Sequence, residues 1–362
     1  MPLPVIDPVH YAEQLAAKVH AMREQFAEFD APVPDIFESA PLHYRLRAEF
    51  RIWHDGDNID YVMFDPDAPQ IPVRIADFPA GAESINRLMP ILREKLLAND
   101  LLRHKLFTVE FLTTLSGEVL VTLVYHRRMD DEWRHAAEQL QTELDIGIIG
   151  RSRGQKIVLR NDYVDECLTV DSRQLHYRQI ENSFTQPNGG INQKMLSWAC
   201  SQLQSVGGDL IELYCGNGNF TIALAPLFQR VLATEISKSS VKAAQHNLST
   251  NRIDNVEIVR MSSDEISTAL SGGRAFNRLK HISLDDYHFS TLLVDPPRSG
   301  LDDVTLALAR RFDKILYISC NPQTLHANIA ALNDSHRIAA LALFDQFPYT
   351  HHLECGVLLH KY

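Results

Sequence analysis

The chain has 362 residues, 45% of them hydrophobic, and a formal net charge of −11. That length suits two or three domains, and that hydrophobic share supports sizeable cores and excludes disordered and collagen-like classes. Residues 1–180 hold 20 basic against 29 acidic residues, so there is no global field for nucleic acid, and any such contact must use local basic surface. No apolar run approaches the roughly 18 residues that a membrane helix needs. The opening MPLPVIDPVHYAEQ has neither a basic n-region nor an apolar h-region, which predicts a cytoplasmic protein without a leader and no membrane partner. Five cysteines (Cys167, Cys200, Cys215, Cys320 and Cys355) are scattered, with no C-x-x-C pair. That pattern argues against a disulfide framework and against a four-cysteine zinc or iron–sulfur site.

Leu15, Val19, Met22 and Phe26 recur at helical spacing and predict a helix over 10–29, broken by APVPDIF. Residues 43–78 alternate and are split by Asp-Gly and Pro signals, which predicts β-structure. A helix over 82–98, a hairpin about Ser116-Gly117, a helix over 130–143 and short strands near 146–149 and 156–160 follow. The basic strips are RLR at 45–47 with Arg51, LLRHK at 101–105, YHRR at 125–128 and RSRGQKIVLR at 151–160, which carries Arg151 and Arg153. A solvated face is the plain account of each strip taken singly.

From about residue 181 strand and helix signals alternate, which predicts an α/β domain with a parallel sheet covered on both faces. The boundary falls near 180, giving an N-terminal β-rich α+β region (1–180) and a second domain (181–362). The last two runs, RIAALALFDQFP and GVLLHK, are strands in succession and could pair antiparallel at one edge.

Four strand ends carry chemistry. DLIELYCGNGNF is a strand, a turn holding Gly216 and Gly218, and a helix start. Such a turn lets backbone approach a ligand and offers free N–H groups. It lacks the third glycine of a dinucleotide fingerprint. The next strand ends in Glu235, 17 residues after Gly218, placed to accept both hydroxyls of a ribose. Ribose recognition without a pyrophosphate cradle points to S-adenosylmethionine. TLLVDPPRSG puts Asp295 at the next rim position. It is similar to the D-P-P-Y motif of amino-methyltransferases, but Arg298 stands where their stacking aromatic would be.

ILYISCNP ends in Cys320 on the same rim. A thiolate is suited to adding to carbon rather than to donating a lone pair to methyl. Addition at C6 of a pyrimidine makes C5 enolate-like, and C5 can then take a methyl group. A base must remove the C5 proton. Glu354, His351 and His352 in FDQFPYTHHLECG are the candidates. Adjacent histidines point to opposite sides of extended chain, so no metal site is expected there. Cys355 is a rival nucleophile; Cys167, Cys200 and Cys215 read as inert buried thiols.

Taken together, LYCGNGNF, DPPRSG, YISCNP and FPYTHHLECGVLL resemble the RNA uracil-C5 methyltransferase family, in order and at the expected spacing, with HYRLRAEFRIWHDG and FTQPN extending the likeness. The resemblance implies a Rossmann-like S-adenosylmethionine-dependent methyltransferase domain behind an RNA-binding region. It makes Cys320 the nucleophile, Glu354 the base and Arg298 the group that holds the uracil or its enolate. Gln186, Tyr214, Gly216, Asn219, Glu235 and Asp295 would line the cofactor site. Phe107, Arg51, Arg151 and Arg153 would meet RNA, Phe107 by stacking where the target uridine has flipped out. The absence of any cysteine before Cys167 points to the tRNA branch, without an iron–sulfur cluster. The implied substrate is the T-loop uridine of the tRNA T-arm, with a T-loop-like element of tmRNA as a further one. An amino-group or cytosine-C5 methyltransferase, and a tRNA-folding factor with secondary catalysis, are the alternatives.

Overall fold

The computed structural model describes residues 5–65 and 67–362; the first four residues of the opening stretch read above lie outside. Helix α1 (Tyr11–Gln25) and strand β1 (Asp35–Phe37) come first. A meander follows: β2 (Arg47–Asp55), β3 (Asn58–Asp65) and β4 (Ala68–Arg74). After α2 (Glu83–Leu97) and α3 (Asp100–Arg103) come the hairpin β5 (Leu106–Thr113)–β6 (Val119–Tyr125), α4 (Asp131–Leu144), β7 (Gly147–Ser152) and β8 (Gln155–Val158). These strands form one sheet in the order β4-β3-β2-β5-β6-β7-β8. In β2 buried and exposed residues alternate, so one face meets α2 and α4 and the other stays wet. Strand β4 carries Pro69 and Pro72 and sits at the edge, where a missing N–H costs no ladder bond.

A separate hairpin, β9 (Tyr163–Val170)–β10 (Arg173–Ile180), precedes α5 (Gly189–Gln202). The second large sheet then builds up from β11 (Asp209–Leu213), α6 (Asn219–Leu224), β12 (Val231–Thr234), α7 (Lys238–Thr250), β13 (Val256–Val259), α8 (Ser263–Leu270), β14 (Phe289–Val294), α9 (Asp303–Ala309), β15 (Lys314–Ser319), α10 (Pro322–Leu332), β16 (His336–Phe344) and β17 (Glu354–Lys361). Its order is β1-β16-β17-β15-β14-β11-β12-β13. The strands are nearly continuous apolar runs because both faces are covered. Ile211, Leu292, Ile315 and Val357 face one cluster with α1, α9 and α10; Leu210, Leu293, Leu316 and Leu358 face the other with α5 and α6. The period of two thus assigns each residue to a layer.

The expected terminal pair forms, but not at the edge. Strand β17 inserts between β15 and β16, antiparallel to both, and the edge is taken by β1, parallel to β16. Helix α1 also packs on this sheet, burying Tyr11, Leu15, Val19 and Met22. The segment before β2 therefore joins the layers of the C-terminal sheet.

Some elements are hidden in the sequence for physical reasons. Helix α5 opens on two glycines and is buried nearly all round, so it shows no amphipathic period. It starts where it does because the Asn188 side chain accepts from the Ile191 N–H at 3.1 Å. Strand β9 hides a buried acid: Glu166 accepts from the N–H groups of Leu115, Ser116 and Cys167.

Gly356 is packed tightly in β17. A Cβ there would lie 2.6 Å from Trp198 Cζ3 and 3.1 Å from Phe344 Cε2. Gly356→Ala is expected to lower stability by about 1–3 kcal/mol, as overpacking does; a denaturant titration checks it, and an unchanged midpoint would contradict this packing.

Candidate active site

In a parallel sheet, ligands sit beyond the carboxyl ends of the strands. β11, β12, β14 and β15 end on one rim, and that rim opens into a cavity of about 1000 Å³. Because β17 runs antiparallel to β15, it begins where β15 ends. Ser319 pairs with Cys355, so one step further the chain brings Cys320 beside Glu354. Opposed residues share a face, and both of these line the cavity. They are 34 positions apart in sequence.

The cavity is also lined by Gln186, Tyr214, Gly216, Asn219, Glu235, Asp295 and Arg298. All nine expected catalytic and cofactor residues therefore meet in one place. Gly216 and Gly218 have φ of 57° and 84°, left-handed backbone that glycine adopts freely. A Cβ on Gly216 would meet nothing within 4 Å, so its backbone faces open space. Tyr214, without that freedom, takes φ of 63°, a strained conformation for a bulky residue. Glu235 is fixed in advance: its carboxylate accepts from Gly216 N at 3.1 Å and Ser237 N at 2.7 Å. Asn219 is held by a reciprocal amide pair with Asn192, 2.9 Å in each direction.

The DPPRSG turn is latched from behind. The Arg298 carbonyl accepts from Asn321 Nδ2 at 2.8 Å and from Thr324 Oγ1 at 3.2 Å. Asn328 Oδ1 accepts from Leu301 N and from the Tyr317 hydroxyl. Asn321 and Pro322 thus do more than end β15: Asn321 caps α10, accepting from Gln323 N, and ties the Cys320 turn to the Arg298 turn. The Arg298 residue itself is exposed at the mouth.

The electrostatics are those of crowded acids. Burial pushes Asp295 up to about 7. Burial pushes Glu212 up to about 8; Thr221 Oγ1, donating at 2.6 Å, opposes the shift and Asp295 adds to it. Glu354 is 3% exposed, and burial together with the Asp295 charge drives its carboxyl well above the usual range. Burial pushes the Cys320 thiol up to about 11, with Glu354 and Asp295 adding to the shift and Arg298 opposing it. Such a set favours any cation that enters, because a positive charge lets the acids ionise. A sulfonium and an ammonium suit it, and the Gly216 backbone and the held Glu235 suit a ribose. The residues present therefore fit S-adenosylmethionine. Glu212 was legible only as an acid between the apolar residues of LIEL; Asn192 and Asn328 gave no signal.

Two sequence expectations change at this rim. The histidine rings lie 4.1 Å apart, on one side, because the segment is a turn rather than extended chain. His352 lines the cavity, whereas His351 is exposed and outside it. The rival thiol, Cys355, is fully buried in the apolar layer, so it does not compete with Cys320. Among the described residues, no group of three or more His, Cys, Asp or Glu could hold a metal ion, and no helix is long and apolar enough to cross a membrane.

On the N-terminal sheet, Phe107 is flanked by Arg51, 3.7 Å from its ring centroid, and by the His126 ring at 3.8 Å. Arg153 is exposed at the β7–β8 turn. Arg151 differs from its expected role. Its Nε and Nη2 grip the Glu181 carboxylate at 2.6 Å each, so its charge is committed inside the protein. Burial alone would raise Glu181, but Arg151, with Lys156 and Thr122 adding to it, outweighs burial and holds the carboxyl below its ordinary value.

A family model described as tRNA (Uracil-5-)-methyltransferase matches residues 10–362. A protein of Azoarcus sp. (strain BH72) named tRNA/tmRNA (uracil-C(5))-methyltransferase is 62% identical, covering 100% of this chain and 99% of its own. One of the same name from Dickeya chrysanthemi (strain Ech1591) is 56% identical over 99% of each chain. Among solved structures, the Pyrococcus abyssi tRNA (uracil-54, C5)-methyltransferase in complex with S-adenosyl-L-homocysteine superposes with a TM-score of 0.73 at 21% identity, covering 96% of this chain and 83% of that one. That likeness carries the fold, a Rossmann-like methyltransferase domain with an N-terminal α+β region. The match over nearly the full length places the chain in the tRNA (uracil-5-)-methyltransferase family.

Proposed function

We propose that the protein methylates C5 of the T-loop uridine of tRNA, position 54, through a covalent Cys320 adduct, with Glu354 removing the C5 proton. The observation that carries this reading is the meeting of Cys320 and Glu354 at one rim of the sheet, with Asp295 and Arg298 beside them. S-adenosylmethionine, when bound, supplies an electrophilic methyl group. Gln186, Tyr214, Gly216, Asn219, Glu235 and Asp295 hold it.

Cys320 Sγ, as thiolate, forms a bond to C6 of the uracil. Arg298 faces the developing enolate oxygen and stabilises its charge. C5 takes the methyl group. Glu354 then accepts the C5 proton, the C5–C6 double bond re-forms, and the Sγ–C6 bond breaks to return the thiolate. The sum replaces one C5 hydrogen by methyl and releases one proton. The buried Glu354 carboxylate is well suited to accept a proton, because burial raises its basicity.

The N-terminal sheet is the RNA-binding half in this reading, with the Arg51–Phe107 stack meeting an unpaired base and Arg153 a phosphate. RNA loops are read by stacking and shape, so a chain of net negative charge can bind one through such local features. The relatives named for tRNA and tmRNA make a T-loop-like element of tmRNA a second substrate to test.

The test uses tRNA carrying 5-fluorouridine at position 54, with S-adenosylmethionine. Fluorine cannot leave as a proton, so the adduct should persist through denaturation and map to Cys320. Methyl transfer to ordinary tRNA with no trapped adduct would reject the covalent route.

A further inference from the structure

We infer that Lys18 of helix α1 is a positioning residue for catalysis: it clamps the loop that carries Glu354. This inference rests on the assignment of Glu354 as the base. Lys18 lies in the N-terminal segment, far in sequence from the chemistry, yet its side chain is 8% exposed and its partner Asp345 is 1% exposed. A lysine ammonium has three donors and no acceptor. All three are used on one loop. Nζ donates to Asp345 Oδ1 at 2.7 Å, to the Phe347 carbonyl at 2.9 Å and to the His352 carbonyl at 3.2 Å.

The three acceptors span the loop from its first residue to the second residue before Glu354. This loop joins β16 to β17 and has no regular structure of its own. Tyr349 within it adopts φ of 62°, which a bulky residue holds only when its surroundings impose it. Phe347 and His352 line the cavity beside Glu354. The next residue after Asp345, Gln346, donates from Nε2 to Oε1 of Gln186, a cavity residue from another part of the chain. The loop therefore touches both halves of the site, and Lys18 is the group that draws its two ends together.

Neighbouring contacts hold the same loop from the same side. Tyr44 donates to the Pro348 carbonyl at 3.2 Å and Tyr349 donates to the Pro41 carbonyl at 2.8 Å. These fix the middle of the loop. Lys18 also reaches the His352 carbonyl, two residues before β17 begins, and so helps to set how the chain enters that strand. A misplacement of order 1 Å at the base is enough to cost roughly 10²-fold in rate. Its effect should fall on proton removal from C5, because Cys320 stands on a different strand end and its turn is tied to Arg298 through Asn321.

Lys18→Met keeps the apolar stem and removes the donors. Ordinary tRNA and S-adenosylmethionine labelled in the methyl group are the probes. The result expected is a turnover at least tenfold lower, with a denaturation-stable protein–RNA complex that carries the labelled methyl. The rate of forming that complex in a single turnover should change less than threefold. Asp345→Asn should show the same accumulation to a smaller degree, and it decides the matter if Lys18→Met does not fold. A fall in both steps that follows the folded fraction, or full turnover in both variants, would overturn the inference. Glu354→Gln is the reference. If it accumulates the methylated complex and the Lys18 and Asp345 variants do not, Lys18 loses its role and the base assignment stands. If Glu354→Gln also fails to accumulate it, the base assignment itself falls.

Discussion

Cys320→Ala is expected to lower turnover on tRNA by more than about 10³-fold, as loss of a covalent nucleophile does, with S-adenosylmethionine affinity changed by less than about twofold. The separation follows from where the thiol sits. Cys320 ends β15, whereas the backbone and carboxylate that suit the ribose end β11 and β12. Strand β14 lies between β15 and β11, and both β14 and β11 lie between β15 and β12, so small-scale repacking at a half-buried turn does not reach the groups that suit the ribose. Equilibrium binding of the cofactor and single-turnover methylation of tRNA measure the two effects. No adduct with 5-fluorouridine tRNA should form. If Cys320→Ala methylated tRNA at the normal rate, C5 would not be activated by thiol addition. The amino-group reading suggested by the DPP turn would then be preferred, and analysis of the methylated nucleoside would identify it.

Glu354→Gln should leave the first half of the reaction working and stop the second. A glutamine keeps the volume and cannot take a proton. Turnover should fall by roughly 10²–10⁴-fold, the usual worth of a positioned base, while methylated uridine stays attached to Cys320 on unmodified tRNA. Detection of that complex on a denaturing gel, with label in the methyl group, is the check. Normal turnover without accumulation would pass the role to His352, which lines the same cavity. Burial, with the charges of His351 and Arg298 and Lys18 adding to it, holds His352 below its ordinary value and so neutral at pH 7.

The rim residues were legible because each stands where an apolar run stops. LLV ends at Asp295, LYIS at Cys320, and a short acid-bearing segment starts GVLL. A strand that loses its hydrophobic pattern next to glycine or proline marks a rim, and chemistry concentrates at rims. The resemblance then attached roles to those positions. What could not be read were the contacts that hold them. Lys18 and Asp345 are 327 positions apart, and Lys18 lies within an ordinary amphipathic helix, where a lone lysine reads as solvated. Arg151 shows the converse failure. A basic strip with no acid among its neighbours looked free for phosphate, but Glu181, 30 positions on, claims it. The expected edge pair failed for a similar reason, since nothing in the strand pattern of β16 and β17 says that a three-residue segment near the N-terminus will close the sheet.

That short segment has a further consequence. β1 pairs with Ala342, Leu343 and Phe344, the apolar end of the nine-residue strand β16, whose backbone N–H and C=O groups there would otherwise face water along one flank. An uncovered strand of this kind is a template for pairing with another chain. A fragment cut at the point where the two compositional halves meet would lose β1 and α1 together. It would expose a bare flank and an apolar sheet face at once, and would aggregate strand to strand. Helix α1 and strand β1 thus act together as the sheet's guard against self-association.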